Sequence, residues 1–161
     1  SHFMPIRSAS RFIIILALLV GTFFFYQALG VSSGANITLS TYWEKFDKKS
    51  IQGLIEEDKV VFVDITAEWC LTCKINKTFV LNRTPVSPLL KNNDVVAMQA
   101  DWTNPDDNIS GYLASFNRYG IPFNVVYGRF APNGLVLPEL LDSKTVVKAI
   151  GLVKGHSLNT N

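Results

Sequence analysis

The chain has 161 residues, 48% of them hydrophobic, enough for one domain with a real core plus an appendage. Its 15 basic and 13 acidic residues leave a net charge of +2, too small a balance to argue for nucleic-acid binding. The two histidines, His2 and His156, lie near the two ends, and Cys70 and Cys73 are the only cysteines, so one chain does not present the four well-placed ligands of a structural zinc site.

Ser1-His2-Phe3 has the look of a cloning remnant, and residues 1–11 are expected to form a short cytoplasmic N-terminus. Phe12 to Gly30, FIIILALLVGTFFFYQALG, carries no charge, and after Arg11 the next charged residue is Glu44. As a helix it would rise about 28 Å, close to the roughly 30 Å of bilayer hydrocarbon. Arg7 and Arg11 precede it and no basic residue follows until Lys45, which places the N-terminus in the cytoplasm and the bulk of the chain outside. A cleaved signal peptide is the rival, since Ala28-Leu29-Gly30 is a small-x-small site. A buried soluble helix is a third reading, opposed by the absence of a polar face.

Residues 31–41 are mostly small and polar and are predicted to be a linker, with the folded domain at 42–155 and a tail at 156–161. Tyr42, Trp43 and Phe46 either cover the domain or sit at a bilayer surface. Ser50 to Glu57 has Ile51, Leu54 and Ile55 on one helical face. Val60 to Thr66 is an apolar, β-branched run that predicts a buried strand. A helix should start at the cysteines and run to about Leu81, and Ser87 can cap a further turn beginning at Pro88.

Val95 to Ala100 predicts a second strand, and Asp106 to Tyr119 a helix stopped by Gly120. Phe123 to Tyr127 is a third strand. Pro132-Asn133-Gly134 signals a turn into a fourth, Leu135 to Leu137. Ser143 caps a closing helix through Val153, with Val146, Val147, Ile150 and Val153 inward. The order α-β-α-β-α-β-β-α, with helical crossovers first and a hairpin last, gives an α/β sandwich.

A cysteine pair between a buried strand and a helix suits thiol–disulfide exchange. The first turn of a helix offers unpaired N–H groups and the positive end of the dipole, which stabilise a thiolate. Cys70, at the helix start, is the expected attacker, and in such motifs the pKa falls from about 8.5 to as low as about 3.5. Cys73, one turn in, resolves the mixed disulfide. A purely structural disulfide is the alternative, although so short a loop adds little stability. Asp64 is either a solvated strand-end acid or a buried carboxylate that takes the Cys73 proton. Glu68 should be exposed. Lys74 and Lys77 are ordinary solvated lysines or modulators of the thiolate, Lys77 sharing a face with Cys73. Pro122 begins a strand, where proline is ordinary, and local sequence alone favours a trans Ile121–Pro122 bond over a cis one.

Val61 to Asn76 (VFVDITAEWCLTCKIN), Ala100 to Ile109 (ADWTNPDDNI), Arg118 to Tyr127 (RYGIPFNVVY) and Leu137 to Leu141 (LPELL) together resemble thioredoxin. They are more similar still to the C-terminal thioredoxin-like domain of DsbD-type protein-disulfide reductases, including the ScsB-like branch. The resemblance implies a thioredoxin fold behind one transmembrane helix, held at a bacterial inner membrane with the catalytic domain in the periplasm. It implies Cys70 as nucleophile, Cys73 as resolving cysteine and Asp64 as buried acid. Trp69, Ile121 and a cis Pro122 would face the substrate, with the Ile121 backbone pairing to its strand.

No cofactor or metal is implied beyond the redox-active pair. The implied partners are periplasmic thiol proteins or a DsbD-like partner domain, met by a monomeric domain. In that family electrons arrive from cytoplasmic thioredoxin through a polytopic membrane domain and serve disulfide isomerases and cytochrome c maturation. Two departures stand out: Lys77 replaces a frequent glutamate, and these residues include no multi-helix electron-transporting domain. The alternatives are a stand-alone anchored reductase for cytochrome c maturation and a non-catalytic interaction domain of the same fold.

Overall fold

The computed structural model describes residues 42–155, together with residue 16 and residues 18–20, which are helical. The rest of the predicted span 12–30, the linker through residue 41 and the tail 156–161 lie outside the described residues. Among the described residues no helix is long and apolar enough to cross a membrane. Residues 1–39 form a unit separate from 40–161, and the fold below belongs to the second.

The unit has, among the described residues, five strands and five α-helices in the order β1 Trp43–Lys45, α1 Ile51–Glu56, β2 Val60–Thr66, α2 Leu71–Asn76, α3 Val86–Leu90, β3 Val95–Asp101, α4 Asp107–Ala114, β4 Phe123–Gly128, β5 Ala131–Val136 and α5 Ser143–Val153. After Asn76, α2 continues as a π-helical turn, Lys77–Leu81, so the helix reaches the predicted Leu81. The sheet order is β1-β3-β2-β4-β5. β1, β3 and β2 are mutually parallel, β4 pairs antiparallel with β2, and β5 pairs antiparallel with β4.

β2 lies in the middle and every residue of it is buried, which is why it reads as an unbroken apolar run rather than an alternation. Its residues still alternate between faces. Val61, Val63 and Ile65 join the core with Ile51, Ile55, Tyr112 and Leu113 from α1 and α4. Val60 and Phe62 join the opposite core, with Leu81, Val86, Leu90, Val146 and Ile150. Full burial of each such side chain contributes about 1.5–3 kcal/mol. Asp64 and Thr66 continue the second face toward the C-terminal end of the strand, so Asp64 emerges beneath α2.

The aromatic residues ahead of the first helix pack on the domain. Trp43 meets Phe62 at 6.1 Å between ring centroids, and Phe46 meets Tyr112 at 4.7 Å. The three-residue β1 was not predicted; it is held by pairing to β3 rather than by its own composition.

Several boundaries differ from those predicted. α5 is capped by Asp142, whose carboxylate accepts the Thr145 N–H at 2.9 Å, one residue before Ser143. α4 ends at Ala114, well before Gly120. Asn117 takes the left-handed conformation (φ 56°) and its N–H and that of Arg118 donate to Ala114 and Leu113 carbonyls, a role asparagine fills at helix ends as glycine does. α3 begins at Val86 behind Pro85, with no Ser87 cap.

Pro132-Asn133-Gly134 is part of β5 and not the turn, which lies at residues 129 and 130. The register slips between Val126 and Gly128, and Gly134 sits in the irregular stretch at φ 87°. A Cβ there would lie 2.7 Å from Val125 Cγ2 and 2.8 Å from Tyr127 Cε1. β5 is an edge strand, where proline is tolerated. Gly134→Ala should lower stability by about 1–3 kcal/mol, from backbone strain and overpacking together. An unchanged urea-unfolding midpoint would show that the bulge rearranges freely.

Candidate active site

The chain leaves β2 at Thr66 and turns through Ala67-Glu68-Trp69 into α2. Cys70 is the N-cap of that helix in extended conformation (φ −83°, ψ 100°). Its sulfur accepts the Cys73 N–H at 3.2 Å, and the two cysteines are joined in a disulfide with Cα atoms 5.3 Å apart. Cys70 is 6% exposed and Cys73 1%, the order expected for attacker and resolver. Ala67 and Ile121 pack against the pair.

The turn is pinned from the end of β3. Trp102 N–H donates to the Thr66 carbonyl at 2.7 Å, Glu68 N–H to Thr103 Oγ1 at 2.9 Å, and Trp69 Nε1 to the Thr103 carbonyl at 3.2 Å. The Thr103 hydroxyl and backbone N–H in turn bond the Asp101 carboxylate, and hold its pKa below the usual carboxylate range. On the other side of α2, buried Asn76 donates to the Glu139 carbonyl at 2.7 Å and accepts the Leu141 N–H at 3.0 Å. These two clamps fix both sides of the cysteine turn. Neither Thr103 nor Asn76 stood out in the sequence, because each acts through backbone partners far along the chain.

Asp64 is buried, 2% exposed, in register with Gln99 on β3 and Asn124 on β4. Gln99 Nε2 donates to one carboxylate oxygen and Asn124 Nδ2 to the other, each at 2.9 Å. Lys77 Nζ lies 3.8 Å from the oxygen that Gln99 binds. Burial raises the Asp64 pKa above the ordinary value, against the opposing pull of Lys77 and the two amides. Of the two sequence readings of Asp64, the solvated strand-end acid is therefore wrong: α2 covers it. Lys77 shares the inward side of the helix and its charge is partnered by Asp64, one turn beyond Cys73. Glu68 and Lys74 are exposed.

Ile121–Pro122 is a cis peptide bond, as the family resemblance implied; Thr84–Pro85, which was not foreseen, is also cis. Pro122 is buried and Ile121 half-buried. Beside the pair, a groove of about 520 Å³ is lined by Trp69, Trp102, Thr103, Pro105, Tyr119 and Ile121. Two of its lining residues, Trp69 and Tyr119, are 63% and 80% exposed, large apolar side chains of the kind that a partner covers; Leu71, two residues after Trp69, is 71% exposed. Sequence had singled out Trp69 and Ile121; Trp102 and Tyr119 are additions from the fold.

The thioredoxin-like family profile matches residues 43–128, more than half of the chain. The chain belongs to the thioredoxin-like family. Its members work through their own cysteine pair and no cofactor, and among the described residues no cluster of His, Cys, Asp or Glu could hold a metal ion. No curated protein matches by sequence.

Among solved structures, the reduced C-terminal domain of Neisseria meningitidis DsbD is similar at 20% identity and TM-score 0.52, covering 66% of this chain and 92% of that one. Its oxidised form gives 22% identity and TM-score 0.50 over 63% and 87%. A chloroplastic thioredoxin z gives 20% identity and TM-score 0.50 over 70% and 95%. At these identities the likeness is one of fold. A thioredoxin-like domain with a disulfide-forming CxxC is suited to thiol:disulfide exchange with other proteins.

Proposed function

We propose that this protein is a membrane-tethered thiol:disulfide oxidoreductase that reduces partner-protein disulfides on the periplasmic side of a bacterial inner membrane, as the terminal domain of a DsbD-like electron-transfer system. The observation that carries the reading is the Cys70 sulfur. It accepts the Cys73 N–H at the start of α2 with Ile121 packed against the pair. On reduction the same N–H would donate to the Cys70 thiolate, which lies beside a proline-flanked rim. The membrane assignment rests on the uncharged run Phe12–Gly30 behind Arg7 and Arg11.

Once reduced by its donor, Cys70 attacks a client disulfide, displaces one client sulfur and forms a mixed disulfide. Cys73 then loses its proton and attacks Cys70, the client leaves as a dithiol, and the Cys70–Cys73 bond closes. The exposed Trp69, Leu71 and Tyr119 receive the client's apolar surface, and the Ile121 backbone, which makes no backbone hydrogen bond among the described residues, pairs with its strand. Reduction is favoured over oxidation because Leu71-Thr72 supplies no histidine to stabilise the Cys70 thiolate strongly. Lys77, whose charge argued mildly for a more stable thiolate, is paired with Asp64.

The test is reduction of insulin driven by dithiothreitol. Wild-type protein should shorten the lag before the insulin B chain precipitates. A variant with both cysteines replaced by alanine should give the uncatalysed curve. If that variant matches wild type, the protein is a binding domain and not a reductase.

A further inference from the structure

The carboxylate of Asp64 sits in a row of three side chains on three adjacent strands. Gln99, Asp64 and Asn124 are register partners, and all lie on the sheet face covered by α2. The two oxygens are not equivalent. Oδ2 accepts the Gln99 amide at 2.9 Å and faces the Lys77 ammonium at 3.8 Å. Oδ1 accepts only the Asn124 Nδ2 at 2.9 Å among the described residues. The Asn124 Oδ1 is buried and has no hydrogen-bond partner among the described residues, although Asn124 itself is 1% exposed. A buried amide oxygen left without a donor is uncommon and costs about 1–3 kcal/mol.

Both oddities have one explanation if Asp64 changes protonation state in the working cycle. An ionised carboxylate needs donors, and it has two amides and a lysine. A protonated one carries an O–H that needs an acceptor, and the donor now facing it would clash. The positive charge of Lys77 beside Oδ2 disfavours a proton there. The proton therefore goes to Oδ1, opposite Asn124. Turning the Asn124 amide over exchanges Nδ2 for Oδ1 and supplies the missing acceptor.

We propose that Asn124 is a positioning residue for the resolving step, an amide that donates to ionised Asp64 and turns over to accept from protonated Asp64, while Gln99 and Lys77 direct the proton to Oδ1. It rests on the reductase reading above. In the step itself the Cys73 thiol gives its proton to Asp64 Oδ1. The sulfur's electron pair forms the bond to Cys70, the bond from Cys70 to the client breaks, and that pair leaves on the client sulfur. The proton later passes to solvent and the amide returns. A leucine at position 124 would serve neither state. A threonine would serve both, because a hydroxyl donates or accepts by rotation.

The groups acting on Asp64 are Lys77 from α2, Asn124 from β4 and Gln99 from β3, so a pH titration of this carboxyl can be assigned. The experiment follows the ¹³C signal of the Asp64 carboxyl and the ¹⁵N–¹H signals of the Asn124 side-chain amide in the oxidised protein across pH. Both should move with one midpoint. In Asn124→Leu the Asp64 midpoint should rise by about one pH unit, since a bond to the charged form outweighs one to the neutral form. Asn124→Thr should bring it back.

In stopped-flow reduction of a peptide disulfide, followed by Trp69 fluorescence, the Leu variant should resolve about tenfold more slowly below that midpoint. The Thr variant should resolve near the wild-type rate. An Asn124 amide whose signals stay fixed while Asp64 titrates would overturn the proposal, and so would a Leu variant with a wild-type Asp64 midpoint. The NMR result does not depend on turnover. A protein that showed the coupled titration but reduced no disulfide would sink the reductase reading and leave the amide switch standing.

Discussion

Cys73→Ala is expected to accumulate as a covalent complex with its client, and Cys70→Ala to form none. The asymmetry follows from the positions of the two sulfurs. Cys70 caps α2, receives a backbone N–H and is the less buried of the two, so it meets the client first. Cys73 is 1% exposed, clusters with Ala67 and Cys70 against Ile121, and is bonded to Cys70. With Cys73 removed, the mixed disulfide has no internal thiolate to break it, and its lifetime passes from transient to minutes or hours unless an outside thiol intervenes. Non-reducing electrophoresis of cells expressing the variant reads this directly, and mass spectrometry of the trapped species names the client. A DsbD-like thiol domain in the complex supports the terminal-domain reading. An apocytochrome maturation factor supports the stand-alone anchored reductase. A Cys70→Ala protein that trapped client as well as Cys73→Ala would reverse the assignment of attacker and resolver.

The parts of this molecule that could be read from its sequence are those where local chemistry and the final fold agree. β2 was bounded correctly because Lys59 and Ala67 flank a run that is buried on both faces. α2 was placed because a strand-to-helix turn must bring Cys70 to a helix start. The misreadings come from places where two residues compete for one role. Asp142 and Ser143 can both cap α5, and the carboxylate one residue earlier reaches Thr145. Asn117 and Gly120 can both end α4, and Asn117 takes the left-handed position because Leu113 is the last residue of the helix that the core holds tightly. Pro132-Asn133-Gly134 carries turn chemistry, but Gly134 uses its freedom for a bulge against Val125 and Tyr127.

The site was half legible for a related reason. Two cysteines and an aspartate announce themselves, whereas the groups that govern the aspartate are neutral amides on other strands. One signal was present. Val63-Asp64-Ile65 buries a carboxylate in an apolar strand, and such a group needs donors from its neighbours. Gln99 within Val95–Ala100 and Asn124 within Phe123–Tyr127 are the amide-bearing residues in the two strands that pair with it. Parallel and antiparallel pairing had to be known before the three could be seen as a row.

Asp64→Asn is expected to make the domain more stable at alkaline pH and a poorer enzyme. The folded-state pKa of Asp64 is raised, by burial first, with Lys77 and the two amides opposing. Between the unfolded and the folded pKa the native state therefore binds more protons than the unfolded chain. Stability contributed by the neutral acid is fully present below the unfolded pKa and is lost as pH rises through the folded one. Asparagine is nearly the same shape, carries no charge to desolvate, and can meet the reversible Asn124 amide.

The variant should thus gain on the order of 1–3 kcal/mol at pH 8, the range for relieving an imperfectly compensated buried group. Near pH 3, where the acid is already neutral, the gain should vanish. Lys77 does not offset this, because at 26% side-chain exposure it can turn to solvent when its partner is gone. Urea unfolding at several pH values checks the sign, and equal gains at both ends of the range would refute a buried ionised carboxylate. The same substitution removes the acceptor for the Cys73 proton, so the resolving step should slow by about 10²-fold, the usual scale for loss of a positioned base. A stabilised variant that resolves at the wild-type rate would assign Asp64 a structural role and move the proton to solvent.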